Sequence, residues 1–149
     1  PDQIWHADIT IVKTKDNRKH FVYLLIDNFS RFILSWRIEH SVSAIIRVDT
    51  IREAYNKLST RVSNITLITD GGPENDNDVM DRFITNETEV LVVLLLKGIF
   101  RFQTLLLKRK TNFLNTGICS GRNITMRMNS EEFLEMMYPT IIFTDLTYH

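Results

Sequence analysis

The chain has 149 residues, 44% hydrophobic and 24% charged, with a formal net charge of zero. That is an ordinary globular balance, long enough for one domain with a real core. A single cysteine, Cys119, excludes an internal disulfide and fits a reducing compartment, and there is no Cys/His zinc pattern. The longest apolar run, Val90 to Leu96, is too short to span a bilayer, and no signal peptide is read at the start. The sequons at Asn64, Asn86 and Asn123 are therefore read as accidents of composition, and Pro1 as the interior of a longer reading frame. Neutral charge does not advertise a nucleic-acid binder. The distribution is uneven, however: residues 1–96 carry 11 basic and 14 acidic side chains, residues 97–149 carry 7 and 4.

Ile4 to Thr14 alternates and is rich in β-branched residues, which predicts a strand. Lys15 to Arg18 is a polar turn, His20 to Phe29 a second strand, and Arg31 to Glu39 a third. Short links between them suggest an antiparallel meander. The period then changes. From Ser43, a plausible N-cap, to Leu58, the residues Ile46, Ile51, Ala54, Tyr55 and Leu58 recur at helical spacing. Asn64 to Thr69 fits a short buried strand, Asp76 to Ile84 a helix capped by Asn75 or Asp76, and Glu89 to Leu96 a strongly apolar strand. The order βββαβαβ predicts a mixed α/β layer fold. After Lys97 neither a period of 2 nor one of 3.6 persists, and only Ser130 to Met137 reads as a short helix.

Two carboxylates stand out. Asp8 lies inside the first strand, where alternation groups it with His6 and Thr10. It is either a residue of a solvent face or one held by a partner or a metal. Asp70 ends another strand and precedes Gly71 and Gly72. It is either a simple turn aspartate or a rigidly held ligand beside a backbone that lets a phosphate come close. Two carboxylates on adjacent strand ends would make a hard-oxygen site suited to Mg²⁺. Asp27, ahead of Asn28-Phe29-Ser30-Arg31, is given a structural role in bonding turn amides. Trp5 and Trp36 are assigned to the core. The four histidines have no triad-like or metal-like spacing, and His6 at most borders the site.

The stretches PDQIWHADIT, FVYLLIDNFSRFILSW and LITDGGPEN resemble, in order and spacing over residues 1–96, the catalytic core of DDE transposases and retroviral-type integrases of the insertion-sequence branch. The resemblance implies a ribonuclease-H-like fold, a mixed five-stranded sheet flanked by helices. It implies that Asp8 and Asp70 are catalytic metal ligands, with Gly71 and Gly72 forming a DNA-facing turn. It further implies two Mg²⁺ or Mn²⁺ ions, DNA cleavage and joining by phosphoryl transfer, and action on transposon ends and target DNA in a bacterial or archaeal cytoplasm, at the nucleoid. Homo-oligomers or an intact transposase are the implied protein partners.

The family's third ligand is a Glu roughly 35 residues after the second Asp, yet no Glu lies between Glu89 and Glu131. Glu131, Glu132 and Glu135 come too late for the motif. A reading displaced by one base offers an account. Phe102 to Cys119 then permits FSNSLVEAKNKFFKYRYL, with its Glu codon straddling Leu107 and Lys108, and Met136 to Thr147 permits DDVPDYNIYRPH. Both resemble family segments. A frame slip between Val90 and Gly98 is expected, making 97–149 an out-of-frame remainder that forms a loosely ordered tail and leaves one sheet face exposed. Two other readings stay open. One is a non-catalytic remnant that binds DNA, through Lys97, Arg101, Lys108, Arg109 and Lys110, or interferes with an intact transposase. The other is a ribonuclease-H-like nuclease.

Overall fold

The structure, a computed structural model, describes residues 2–58, 64–89, 91–96, 117–120 and 123–145. The alternating, β-branched segment Ile4–Lys13 forms β1, on which the sheet is built. It turns back through Asn17, whose φ of 63° suits an asparagine, into antiparallel β2, Lys19–Asp27. β2 pairs antiparallel with β3, Ile33–Glu39. Asp27 at the end of β2 is fully buried. Its carboxylate accepts from the Ser30 N–H and hydroxyl, both at 2.6 Å, and from the Asp2 N–H at 2.9 Å. It thus ties the β2–β3 turn as the sequence suggested. Burial pushes its carboxyl upward, but these donors outweigh it and hold the group below the ordinary carboxylate value.

Helix α1, Ala44–Tyr55, follows Ser43, whose position is the expected N-cap but whose side chain makes no capping bond. The Ser43 N–H instead donates to the Tyr23 hydroxyl at 2.7 Å. Strand β4, Ile65–Asp70, helix α2, Asp78–Glu87, and strand β5, Leu91–Leu96, complete the unit. The cap of α2 is Asn77, accepting from Val79 and Met80 N–H, rather than Asn75 or Asp76. Asn75 is committed elsewhere, as described below. Strand order is β3-β2-β1-β4-β5, with β1, β4 and β5 parallel. These five strands, flanked by helices, form the mixed sheet that the resemblance implies, and two further strands extend it to seven.

Alternation sends odd-numbered residues of β1 and β4 to one face. Trp5, Ala7, Ile65 and Leu67 pack there with Val48 and Ile51 of α1 and Met80 and Phe83 of α2. Arg52 and Glu87 join the two helices by paired hydrogen bonds of 2.7 and 2.9 Å, half-exposed and so worth little. The opposite face carries Val12, Val22, Leu24, Ile26 and Ile33.

Over β1 to β3 that second face is covered, whereas Val92 and Leu94 of β5 stay exposed on it, so the expected bare surface is met only there. Strands β6, Gly117–Ser120, and β7, Asn123–Met126, form an antiparallel ribbon, and β7 pairs in parallel with Ile11–Lys13 of β1. Helix α3, Ser130–Asp145, then lays Phe133 and Met137 on the sheet beside Met126, all buried. The helix runs eight residues beyond the predicted Met137 end. Its start has an Asn129/Glu132 capping box: Asn129 Oδ1 accepts from the Glu132 N–H, and Glu132 Oε2 from the Asn129 N–H, both at 3.0 Å. The i, i+4 pair Phe133/Met137 supplies enough of an apolar stripe to dock, although the flanking sequence has no sustained period. No helix among the described residues is long and apolar enough to cross a membrane.

Candidate active site

The parallel register of β1 and β4 sets His6 opposite Ile68. Two residues farther along, Asp8 lies level with Asp70, and equal parity aims both at the same face. Asp8 also falls between the part of β1 paired with β4 and the part paired with β7. The two carboxylates therefore sit where one neighbouring strand has ended and the next has not begun. Sequence reasoning could not see that interruption, because β7 is remote in the chain.

Asp8 Oδ1 accepts the Ile9 N–H at 2.9 Å. Asp70 is buried, and its Oδ1 accepts from Asn75 Nδ2 at 2.8 Å. Asn75 also reaches Glu74 Oε1 at 3.3 Å and is itself held by its N–H on the Gly72 carbonyl. The turn after β4 is thus braced onto the carboxylate it follows. Neither Gly71 nor Gly72 takes a left-handed conformation, so the turn does not require glycine for its backbone. At Gly72 a Cβ would stand 2.5 Å from Glu74 Oε1, the end of a flexible side chain that can swing aside. At Gly71 a Cβ would meet nothing within 4 Å, so the space outside Asp70 is open.

Glu74 and Arg47 were not singled out by the sequence, and Asn75 was read there only as a candidate helix cap. Arg47 looked like a polar residue between apolar helical positions, yet it is fully buried under the strand ends. Its Nη1 donates to the Asp8 carbonyl at 3.3 Å, and its guanidinium lies 5.4 Å from the Tyr23 ring centroid. Burial lowers its pKa from the ordinary value, while Asp8, Glu74 and Asp70 favour the charged form. A guanidinium keeps its proton in a protein, so the charge remains. His6 has its Nε2 3.1 Å from Asn28 Oδ1, at the residue that follows β2. Burial lowers its pKa, with Asn28 opposing and Arg31 assisting, so the imidazole tends to neutrality.

The oxygen donors of Asp8 and Asp70 are of the type that Mg²⁺ or Mn²⁺ takes. Among the described residues, however, no three His, Cys, Asp or Glu side chains are grouped to hold an ion. Glu132 is spent on capping α3, and Glu131 and Glu135 are exposed on that helix. Leu107 and Lys108, and the basic residues from Lys97 to Lys110, lie outside the described residues.

Residues 1–100 match the integrase core domain model. The chain belongs to that family. A transposase for insertion sequence element IS3411 of Escherichia coli is 34% identical over 70 residues, which is 46% of this chain and 28% of the relative. This integrase core chain therefore matches only about a quarter of that relative's length. In structure, the catalytic domain of Mos1 mariner transposase superposes with a TM-score of 0.65 at 11% identity, covering 93% of this chain and 68% of that one. The HTLV-2 integrase catalytic core domain in complex with magnesium gives 0.57 at 20% identity, covering 75% and 70%. At these identities the structural likeness establishes the ribonuclease-H-like fold alone.

Proposed function

We propose that this chain is the catalytic core of an insertion-sequence transposase whose site is incomplete as translated. Asp8 and Asp70 would hold a divalent cation through their carboxylate oxygens, on the neighbouring central strands β1 and β4, with open space at Gly71. Bound there, the ion would supply the Lewis acidity used in phosphoryl transfer between DNA strands. Asn75 fixes the Asp70 rotamer, and the Asp8 carboxylate is oriented by its bond from the Ile9 N–H. The observation that carries this reading is the register that sets Asp8 level with Asp70.

The third ligand belongs, on this proposal, to the frame that straddles Leu107 and Lys108, and residues 97–149 are an out-of-frame remainder of the core. Losing one carboxylate raises the barrier to the chemical step by several kcal/mol. The test has two parts. Sequencing the coding DNA from codon 85 to the stop, in all frames, should show a Glu codon across Leu107 and Lys108. A frame-restored chain should perform Mn²⁺-dependent strand transfer that Asp8→Asn or Asp70→Asn abolishes, while the chain as it reads should not. Equal activity in the two chains would refute the incompleteness. A second reading, a binding-only remnant that poisons an intact transposase, draws on the missing third carboxylate among the described residues. It expects a metal-independent DNA mobility shift and no cleavage.

A further inference from the structure

The acidic pair already has a cation beneath it. Arg47 is completely buried, and among the described residues it makes a single hydrogen bond, from Nη1 to the Asp8 carbonyl. Its Nε and Nη2 are buried with no hydrogen-bond partner among the described residues. A guanidinium so placed is costly unless the surrounding field offsets its lost hydration. The charges that supply that field are Asp8, Glu74 and Asp70, with the Tyr23 ring face on one side. Those same carboxylates would otherwise repel one another: Asp70 and Glu74 share one Asn75 amide, and Asp8 stands on the adjacent strand.

We propose that Arg47 is the built-in counter-cation of this site: it balances Asp8, Asp70 and Glu74 in the metal-free chain and competes with a divalent cation for them. The balancing half stands on the geometry alone. The competing half rests on the reading of Asp8 and Asp70 as metal ligands. Because the guanidinium is walled in by α1 and the sheet and keeps its proton, it cannot withdraw when an ion arrives. It lowers the attraction an incoming dication feels, and it does so at short range in a medium that screens poorly.

Two measurements test this on the whole chain. In metal-free buffer, the double variant Asp8→Asn/Asp70→Asn should melt below the wild type, because it leaves Arg47 buried with most of its field removed. A double variant that melts above the wild type overturns the proposal, since repulsion between the carboxylates would then dominate. In the second measurement, free Mn²⁺ is followed by its electron paramagnetic resonance signal during titration. Arg47→Met should bind Mn²⁺ roughly tenfold or more tightly than the wild type, and Arg47→Lys, which keeps the charge, within about threefold of it. Unchanged or weaker binding by Arg47→Met overturns the competition. If neither wild type nor Arg47→Met takes up Mn²⁺, the metal reading and the competition fall together, and the melting comparison decides the balancing role. That comparison also decides it if Arg47→Met does not fold.

Discussion

The two faces of the sheet are filled in different ways. The face under α1 and α2 is closed by residues between Trp5 and Leu91, on elements that follow one another along the chain. The face under α3 takes five of its eight buried residues from the meander and the other three, Met126, Phe133 and Met137, from far down the sequence. The first layer is one continuous local design, and the second depends on a distant segment arriving. Truncation in the first should therefore loosen the whole domain, and truncation in the second should loosen one layer.

Trp5→Ala should cost about 4 kcal/mol and abolish hydrogen-exchange protection throughout the sheet. Phe133→Ala should cost about 3 kcal/mol, with protection lost in α3 and β7 while β4 and α2 keep theirs. Uniform loss in both variants would erase the distinction between the layers. Asp27→Ala, which strands the buried donors of the turn shared by both layers, should lower stability by about 2 kcal/mol in denaturant titration. Asn77→Ala and Asn129→Ala form a matched pair, each removing one helix cap at about 1 kcal/mol. The first should register in global unfolding, the second in α3 exchange alone.

The smallest effect is a pH dependence confined to the second layer. His20 is buried, its Nε2 2.5 Å from Ser130 Oγ and its ring against Phe133 and His40. Burial lowers its pKa from the ordinary 6.5, with His40 and Arg18 assisting and Asp16 opposing. The unfolded chain therefore takes up the proton first as pH falls. Stability should begin to decline as pH drops through 6.5 and stop declining on this account below the folded-state value. Melting curves between pH 7.5 and pH 5 should show the slope in wild type and a flatter profile in His20→Gln, an expectation that a pH-independent wild type would contradict.

Five strands and both helices of the first layer were legible because each carries its own period or apolar run. Asp8 and Asp70 were legible as unusual carboxylates, and Asp27 as a turn-former, from local chemistry alone. Arg47 was not, because its burial is decided by where α1 crosses the strand ends rather than by its neighbours in the helix. Asn75 was misread as a cap because its amide is claimed by Asp70. The α3 start did carry a signal, the N-x-x-E of Asn129 to Glu132, which a search for sustained periodicity passes over. Strands β6 and β7 had none, since four-residue strands are defined by pairing, β7 with β1 and β6 with β7.

That pairing has a consequence in time. Ser130 meets His20 across a separation of 110 residues, and β7 reaches back comparably far to β1. Contacts of such range close late, after the hairpins and the first parallel pairings have formed. During synthesis the meander emerges first and waits with Val22, Leu24 and Ile26 uncovered until the last helix leaves the ribosome. The interval is long on the scale of hairpin formation, and it is when this chain is most open to chaperones, proteases and its own copies.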